Sequence, residues 1–198
     1  DKIRRGFDLL HEDDTCVICG DFCWAMSLAE ALPDFRFLNS LPGKKLLVKG
    51  NHDYWWTTAA KMNAFFAQNG LDSISLLHNN CAEWENLALC GTRGWFYEEE
   101  KGSEHDGKIM RREIMRLETS LASAGDKKKL VFLHYPPLYL RYTCPEILRL
   151  LAQYGVRECC YGHIHGYGCR SAFIGESEGV QYRMVSADFL DFVPYKLR

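Results

Sequence analysis

The chain has 198 residues, with 24 lysines and arginines against 26 aspartates and glutamates, so its formal net charge is −2. This length fits a single domain, and a hydrophobic fraction of 47% excludes an intrinsically disordered chain. The near-neutral charge gives no electrostatic basis for binding nucleic acid or an anionic membrane, and no apolar run reaches the roughly 20 residues of a membrane-spanning helix.

Apolar runs typical of strands alternate along the chain with segments of helical periodicity, which favours an α/β fold with crossover connections. The predicted strands are Cys16–Cys19, Lys45–Lys49, Ser75–Leu77, Leu87–Cys90, Leu130–Leu133, Val156–Tyr161 and Val180–Ser186. The predicted helices are Ser27–Leu41, Thr57–Asn69, Lys108–Ala124 and Pro145–Tyr154. Hairpins are predicted at Cys81–Cys90 and around Gly175–Gly179, so we expect mixed sheets. The polar segment Glu98–Gly107 is predicted to be a mobile surface loop.

The nine cysteines match neither a zinc module nor a secreted disulfide framework in their spacing. Cys16 and Cys19 form a CxxC within an apolar run, where strand alternation would place residues three apart on opposite faces. We interpret the cysteines as small buried hydrophobic residues in a reducing cytosol, which predicts a cytoplasmic protein. A redox or zinc-binding cysteine protein is the less favoured alternative.

Side chains able to bind a metal directly follow four of the predicted strands. In chain order these motifs are Gly20-Asp21, Gly50-Asn51-His52-Asp53, His134 and Gly162-His163-Ile164-His165. In α/β folds the carboxyl ends of strands are where sites are built, and glycine allows the chain to turn sharply there. Each motif alone is a weak signal, whereas the four in this order predict a metal site.

This ordered set closely resembles the motifs of the calcineurin-like metallophosphoesterases. The stretches Gly91–Trp95 and Leu133–Pro137 are similar to a bacterial subgroup of predicted phosphohydrolases. The resemblance implies one metallophosphoesterase-like domain over residues 1–198, built as a sandwich of two mixed β-sheets flanked by helices. It also implies two divalent metal ions, drawn from Mn, Fe and Zn, of which Mn is favoured.

The resemblance further implies a role for each motif residue. Asp21 would bridge the two metals, and His165 would bind the first metal. The ligands that complete the second metal site would be Asn51, His134 and His163. His52 would lie near the scissile phosphate as an acid or charge stabiliser, oriented by a hydrogen bond that Asp53 accepts.

Such a site suits phosphoester hydrolysis on chemical grounds as well. Two divalent cations neutralise the anionic ester, lower the pKa of a bridging water and align the resulting hydroxide for in-line attack. Imidazole and amide-oxygen ligands suit Mn, Fe or Zn better than a hard all-oxygen site would. Arg93 follows a predicted strand in a Gly-Thr-Arg-Gly loop, where it would either hold the phosphate bidentately or be an ordinary surface or salt-bridged arginine.

The family's first motif, D-x-H, has no counterpart in this sequence. The nearest candidates, Asp8 and His11, are spaced three apart in a helix-like stretch, and we reject them. Two explanations stay open: an upstream strand carries the motif, or the protein is a degenerate member that lost its first metal site. We expect the upstream strand, because burying about six residues of a central strand contributes on the order of 10 kcal/mol, comparable to a domain's entire stability.

As given, the second metal site keeps four ligands and the first keeps only Asp21 and His165. We therefore expect the chain alone to bind at most one metal well and to be a weak catalyst. The predicted function is hydrolysis of a phosphomonoester or phosphodiester, with a small molecule or nucleotide as substrate. The alternative is a catalytically impaired scaffold of this type that binds a protein partner.

Overall fold

The computed structural model describes residues 1–96 and 104–197. The α-helices in those residues are α1 (Lys2–Phe7), α2 (Leu28–Asn39), α3 (Ala59–Gln68), α4 (Glu104–Ser123) and α5 (Pro145–Gln153), and a 3₁₀ helix covers Gly166–Ser171. The first six strands are β1 (Thr15–Ile18), β2 (Lys44–Leu47), β3 (Ile74–Leu76), β4 (Cys81–Trp84), β5 (Leu87–Thr92) and β6 (Lys128–Leu133). The other strands are β7 (Leu138–Tyr139), β8 (Tyr142–Thr143), β9 (Glu158–Tyr161), β10 (Gly175–Ser177) and β11 (Val180–Met184).

The strands form two principal sheets. The smaller one has the order β1-β2-β3 and is wholly parallel, with Leu47 opposite both Ile18 and Leu76. The larger one has the order β10-β11-β9-β6-β5-β4 and is mixed, because the β10-β11 and β4-β5 pairs are antiparallel. The expectation of mixed sheets is therefore right for the larger sheet and wrong for the smaller one. Strands β7 and β8 form a separate short hairpin.

The two sheets pack face to face and are covered outside by helices. Their inner faces meet through one buried apolar cluster that includes Leu46, Val48, Leu77, Leu89 and Phe132. Helices α2 and α3 cover the outer face of the smaller sheet, and α4 and α5 cover the outer face of the larger one. The predicted sandwich flanked by helices is confirmed.

Every predicted strand and helix is present, with its ends shifted by a few residues at most. The hairpin at Cys81–Cys90 is confirmed by the antiparallel pairing of β4 with β5. The predicted loop Glu98–Gly107 lies partly outside the described residues. Its last part, Glu104–Gly107, is wrong as a loop because it forms the first turn of α4, where Glu104 and Asp106 complement the positive end of the helix dipole.

All nine cysteines lie in the described part of the chain, and none forms a disulfide. Cys19 and Cys160 pack between the sheets, and burial raises the pKa of the Cys160 thiol to about 12. Burial likewise raises the pKa of Cys16 to about 12. The interpretation as small buried hydrophobic residues is confirmed for Cys19 and Cys160, whereas the Cys16 side chain is half-buried. Within the described ranges, no helix has the length and apolar character needed to cross a membrane.

Candidate metal centre

The register of the strands brings the predicted motifs to one end of the sandwich. In the larger sheet, β6 and β9 are parallel neighbours with Leu133 opposite Tyr161, so His134 and His163 follow adjacent strand ends. In the smaller sheet, β1 and β2 are also parallel neighbours, so Asp21 and Asn51 leave the same edge of that sheet. Face-to-face packing of the sheets then places the two pairs opposite each other.

Three predicted ligands converge on one point. Asp21, His134 and His163 each offer one ligand atom, and these atoms all lie within 4.8 Å of one another. Nε2 of His134 lies 3.2 Å from Nδ1 of His163 and 3.6 Å from Oδ2 of Asp21. The structure thus brings together residues 113 and 142 positions apart in the chain (134 − 21 and 163 − 21).

Asn51 adds a fourth ligand atom, an amide oxygen, to this cluster. Its Oδ1 lies 2.7 Å from Nε2 of His134 and 3.1 Å from Nδ1 of His163. Nδ1 of His134 lies 2.8 Å from the carbonyl oxygen of Cys19, which only accepts hydrogen bonds. Nδ1 must therefore carry the ring proton. In the neutral ring, Nε2 then has a lone pair that points at the amide oxygen of Asn51. Two such acceptors repel each other unless positive charge lies between them.

A metal ion is a better source of that charge than a proton. Burial lowers the pKa of the His134 imidazole, although Asp21 opposes the shift. Burial, reinforced by His134, lowers the pKa of His163 to about 4. Both rings are consequently neutral near pH 7 and offer lone pairs. One carboxylate, one amide oxygen and two imidazoles form a donor set that fits Mn, Fe or Zn.

The backbone around the cluster is unusual. Asp21 has a φ of 54° and His163 a φ of 66°, in the left-handed region that few residues other than glycine adopt. A Cβ added at Gly20 would lie 2.5 Å from Nδ1 of His134, and one at Gly50 would lie 2.0 Å from Oδ1 of Asp21. The glycines of the two motifs are thus required because neighbouring loops approach each other closely there.

Asp53 supports these loops and does not orient His52, so that part of the prediction is wrong. The side chain is 2% exposed. Its Oδ2 accepts hydrogen bonds from the backbone N–H groups of Gly50 (2.7 Å) and Asp21 (2.9 Å), and its Oδ1 accepts one from Phe22 (2.9 Å). The carboxylate therefore joins the loop after β1 to the loop after β2, because these N–H groups have no ladder partners there.

Asp53→Ala is expected to destabilise the protein and to weaken metal binding. Each buried N–H group left without a partner costs about 1–3 kcal/mol, and loss of a supporting contact lowers metal affinity by about 10–100-fold. Urea unfolding and calorimetric Mn(II) titration measure the two effects. Asp72→Ala, at an exposed position in a turn, is the matched control and should change neither. Wild-type metal affinity in Asp53→Ala would contradict this role.

His52 stands beside the cluster with two aromatic neighbours. Its backbone N–H donates to Oδ1 of Asp21 at 2.8 Å. The Trp24 ring stacks on the imidazole at 4.3 Å between centroids and 15° between planes, and the Tyr54 hydroxyl lies 2.9 Å from Nδ1. Sequence reasoning missed Trp24, although the residue follows the Gly20-Asp21 motif closely. The Tyr54 side chain is also partly open to solvent, with an exposed fraction of 50%.

Two further predicted site residues, His165 and Arg93, also lie outside the converging cluster. His165 is exposed at the start of the 3₁₀ helix and is not among the three ionisable ligands that converge in the described residues. The Arg93 guanidinium lies 3.6 Å from the carboxylate of the buried Glu113 and over the Trp95 ring. Of the two alternatives for Arg93, the structure shows the salt-bridged arginine, and its contact with phosphate stays a prediction. The rejected candidates Asp8 and His11 are both exposed. Asp8 caps the C-terminal end of α1, and His11 follows three residues later.

With this geometry established, the comparison with known families is decisive. The model of the calcineurin-like phosphoesterases matches residues 1–167, which is most of the chain. The chain belongs to the calcineurin-like phosphoesterase family. The resemblance seen in the motifs is confirmed, and the general activity of this family is metal-dependent hydrolysis of phosphoesters.

Other comparisons add less to the calcineurin-like assignment. One solved crystal structure is 15% identical over 75% of this chain, with a TM-score of 0.47, a likeness too weak to support an argument. The chain spans 59% of the length of that solved chain. No curated protein matches this chain.

Proposed function

We propose that this protein hydrolyses a phosphomonoester or phosphodiester, and that Asp21, Asn51, His134 and His163 hold one of the divalent metal ions it uses. The observation that carries the proposal is the convergence of carboxylate, amide and imidazole acceptor atoms within hydrogen-bonding distances, on rings that burial keeps neutral. Asp21 and His165 are proposed as ligands of a second metal. Mn is favoured among the metals that suit this donor set.

When bound, divalent cations supply positive charge that neutralises the ester and acidifies a coordinated water. The chain's own residues prepare the site for this chemistry. The Cys19 carbonyl sets the tautomer of His134, and the His52 N–H holds one oxygen of Asp21 in place. The imidazole of His52 would then donate a proton to the departing oxygen of the substrate.

Arg93 would contribute to substrate binding from the edge of the site. Its carbonyl oxygen accepts hydrogen bonds from the N–H groups of His134 and Tyr135, so the Arg93 backbone already holds the loop that carries a metal ligand. The buried Glu113 holds its guanidinium near the same strand end. The proposed substrate is a small phosphoester or a nucleotide, and the proposed location is the cytoplasm.

Turnover of generic esters tests the proposal directly. The protein is assayed with p-nitrophenyl phosphate and bis(p-nitrophenyl) phosphate in the presence of Mn(II), Fe(II) or Zn(II), before and after chelation. We expect slow, metal-dependent release of nitrophenol, as suits a weak catalyst, which chelation abolishes and Mn(II) restores. The relative rates on the two esters distinguish monoesterase from diesterase activity. Metal binding without turnover of any ester would reject the enzyme and support the scaffold that binds a protein partner.

A further inference from the structure

Two aromatic rings contact His52, and packing in the hydrophobic core does not explain their positions. Trp24 is 67% exposed and Tyr54 is 50% exposed, so neither ring is held in place by burial. Both nevertheless contact the same imidazole from different directions. The Trp24 plane lies 15° from the His52 plane, whereas the Tyr54 ring is nearly perpendicular to it, at 85° and 5.8 Å between centroids.

These two contacts restrict the imidazole in complementary ways. Stacking on Trp24 opposes rotation of the ring out of its plane. The Tyr54 hydroxyl engages Nδ1 at 2.9 Å, which leaves Nε2 as the nitrogen available for proton transfer. The backbone of His52 is anchored independently, because its N–H donates to Asp21 at 2.8 Å.

The contacts of the His52 imidazole within the described residues are with Trp24 and Tyr54 and not with Asp53. Both oxygens of Asp53 accept hydrogen bonds from backbone N–H groups of the two motif loops, so the carboxylate is committed elsewhere. Trp24 follows the Gly20-Asp21 motif, and Tyr54 follows the Gly50–Asp53 motif. The two loops that carry metal ligands therefore also carry the groups that hold His52.

We propose that Trp24 and Tyr54 are positioning residues that orient His52 for proton donation to the leaving group. This inference rests on the proposed phosphoesterase function. A correctly oriented acid matters most when the leaving oxygen is basic, and matters little when the departing anion is already stable. The two residues should therefore affect poor leaving groups selectively.

A series of aryl phosphates whose phenols rise in pKa tests this selectivity. Trp24→Ala should lower kcat for phenyl phosphate by up to about 10²-fold, the lower end of the effect of a general acid, while kcat for p-nitrophenyl phosphate changes little. Tyr54→Phe should likewise lower kcat more for phenyl phosphate than for p-nitrophenyl phosphate. Trp24→Phe, which keeps a stacking ring, should restore most of the activity. An equal loss along the whole series would overturn the proposal.

A double-mutant cycle with His52→Gln shows whether the aromatic residues act through the imidazole. Adding Trp24→Ala to His52→Gln should cause no further loss, because the group that Trp24 positions is already absent. Multiplicative losses from the two substitutions would show that Trp24 acts by another route and would overturn the proposal.

The resonances of the His52 ring provide a readout that needs no turnover. In the Zn(II)-loaded protein, the ring protons should be shifted upfield by the stacked indole, and Trp24→Ala should remove that shift. His52→Gln assigns the signal. An unchanged His52 signal in Trp24→Ala would overturn the positioning contact whatever the activity. Failure of the wild-type protein to cleave any ester would reject the phosphoesterase function separately. The upfield shift of the His52 ring protons would still test the contact with Trp24 in that case.

Discussion

His134→Ala is expected to lower kcat/KM for a phosphoester by about 10³-fold or more and to abolish tight metal binding. The side chain is fully buried, and its Nε2 is central to the cluster, 2.7 Å from Asn51, 3.2 Å from His163 and 3.6 Å from Asp21. A bound cation supplies several kcal/mol of transition-state stabilisation, and each 1.4 kcal/mol corresponds to about a tenfold change in rate. Elemental analysis of the purified variant and steady-state kinetics with Mn(II) measure the two losses.

A matched control separates loss of this ligand from loss of any histidine. His105→Ala removes an exposed imidazole from α4 and should keep wild-type metal content and activity. Circular dichroism of His134→Ala verifies that the fold is retained. A folded His134→Ala variant that still binds Mn(II) tightly and cleaves esters at the wild-type rate would rule out the proposed metal centre.

Gly50→Ala is expected to disrupt the centre without changing any ligand. A Cβ at this position would lie 2.0 Å from Oδ1 and 2.2 Å from the backbone nitrogen of Asp21, distances that no side-chain rotation relieves. The loop after β1 must therefore shift away from the loop after β2. Overpacking of this kind costs about 1–3 kcal/mol, and we expect the upper end of that range together with a large loss of metal affinity. Thermal unfolding and Mn(II) titration measure both.

The effect at Gly50 should not be shared by every substitution of alanine for glycine in this protein. Gly107 lies in α4, and a Cβ there would meet only the end of the Arg111 side chain, at 3.4 Å. Gly107→Ala is therefore expected to leave metal binding unchanged and to raise the free energy of unfolding by up to about 1 kcal/mol through helix propensity. Equal stability and metal affinity of Gly50→Ala and wild type would contradict the close approach of the two loops.

Much of the fold was predictable because the strands and helices follow from local patterns of apolar and polar residues. The apolar run at Leu130–Leu133 and the amphipathic segment at Lys108–Ala124 correspond to β6 and α4, since side-chain periodicity distinguishes strands from helices. The boundaries were less accurate, and α4 begins earlier than its apolar residues indicate. Four of the five predicted metal ligands meet at one point. Their motifs directly follow parallel neighbours, β1 and β2 in one sheet and β6 and β9 in the other, and the two sheets pack face to face.

The partners of individual polar side chains were not predictable in this way. Asp53 is adjacent to His52 in sequence, yet its carboxylate binds N–H groups of Asp21 and Phe22, more than 30 positions away. The Trp24 ring reaches His52 only because the loops after β1 and β2 lie side by side. No local pattern encodes these contacts.

The sequence by itself determined the α/β class, the family and the motifs that we propose to bind metal, because each depends on residue type and short-range spacing. Only the tertiary structure decided which atoms face one another. His134 is oriented by the carbonyl of Cys19, 115 positions away, and that contact exists because two separate sheets pack face to face. Side-chain geometry at this centre is therefore a consequence of long-range packing.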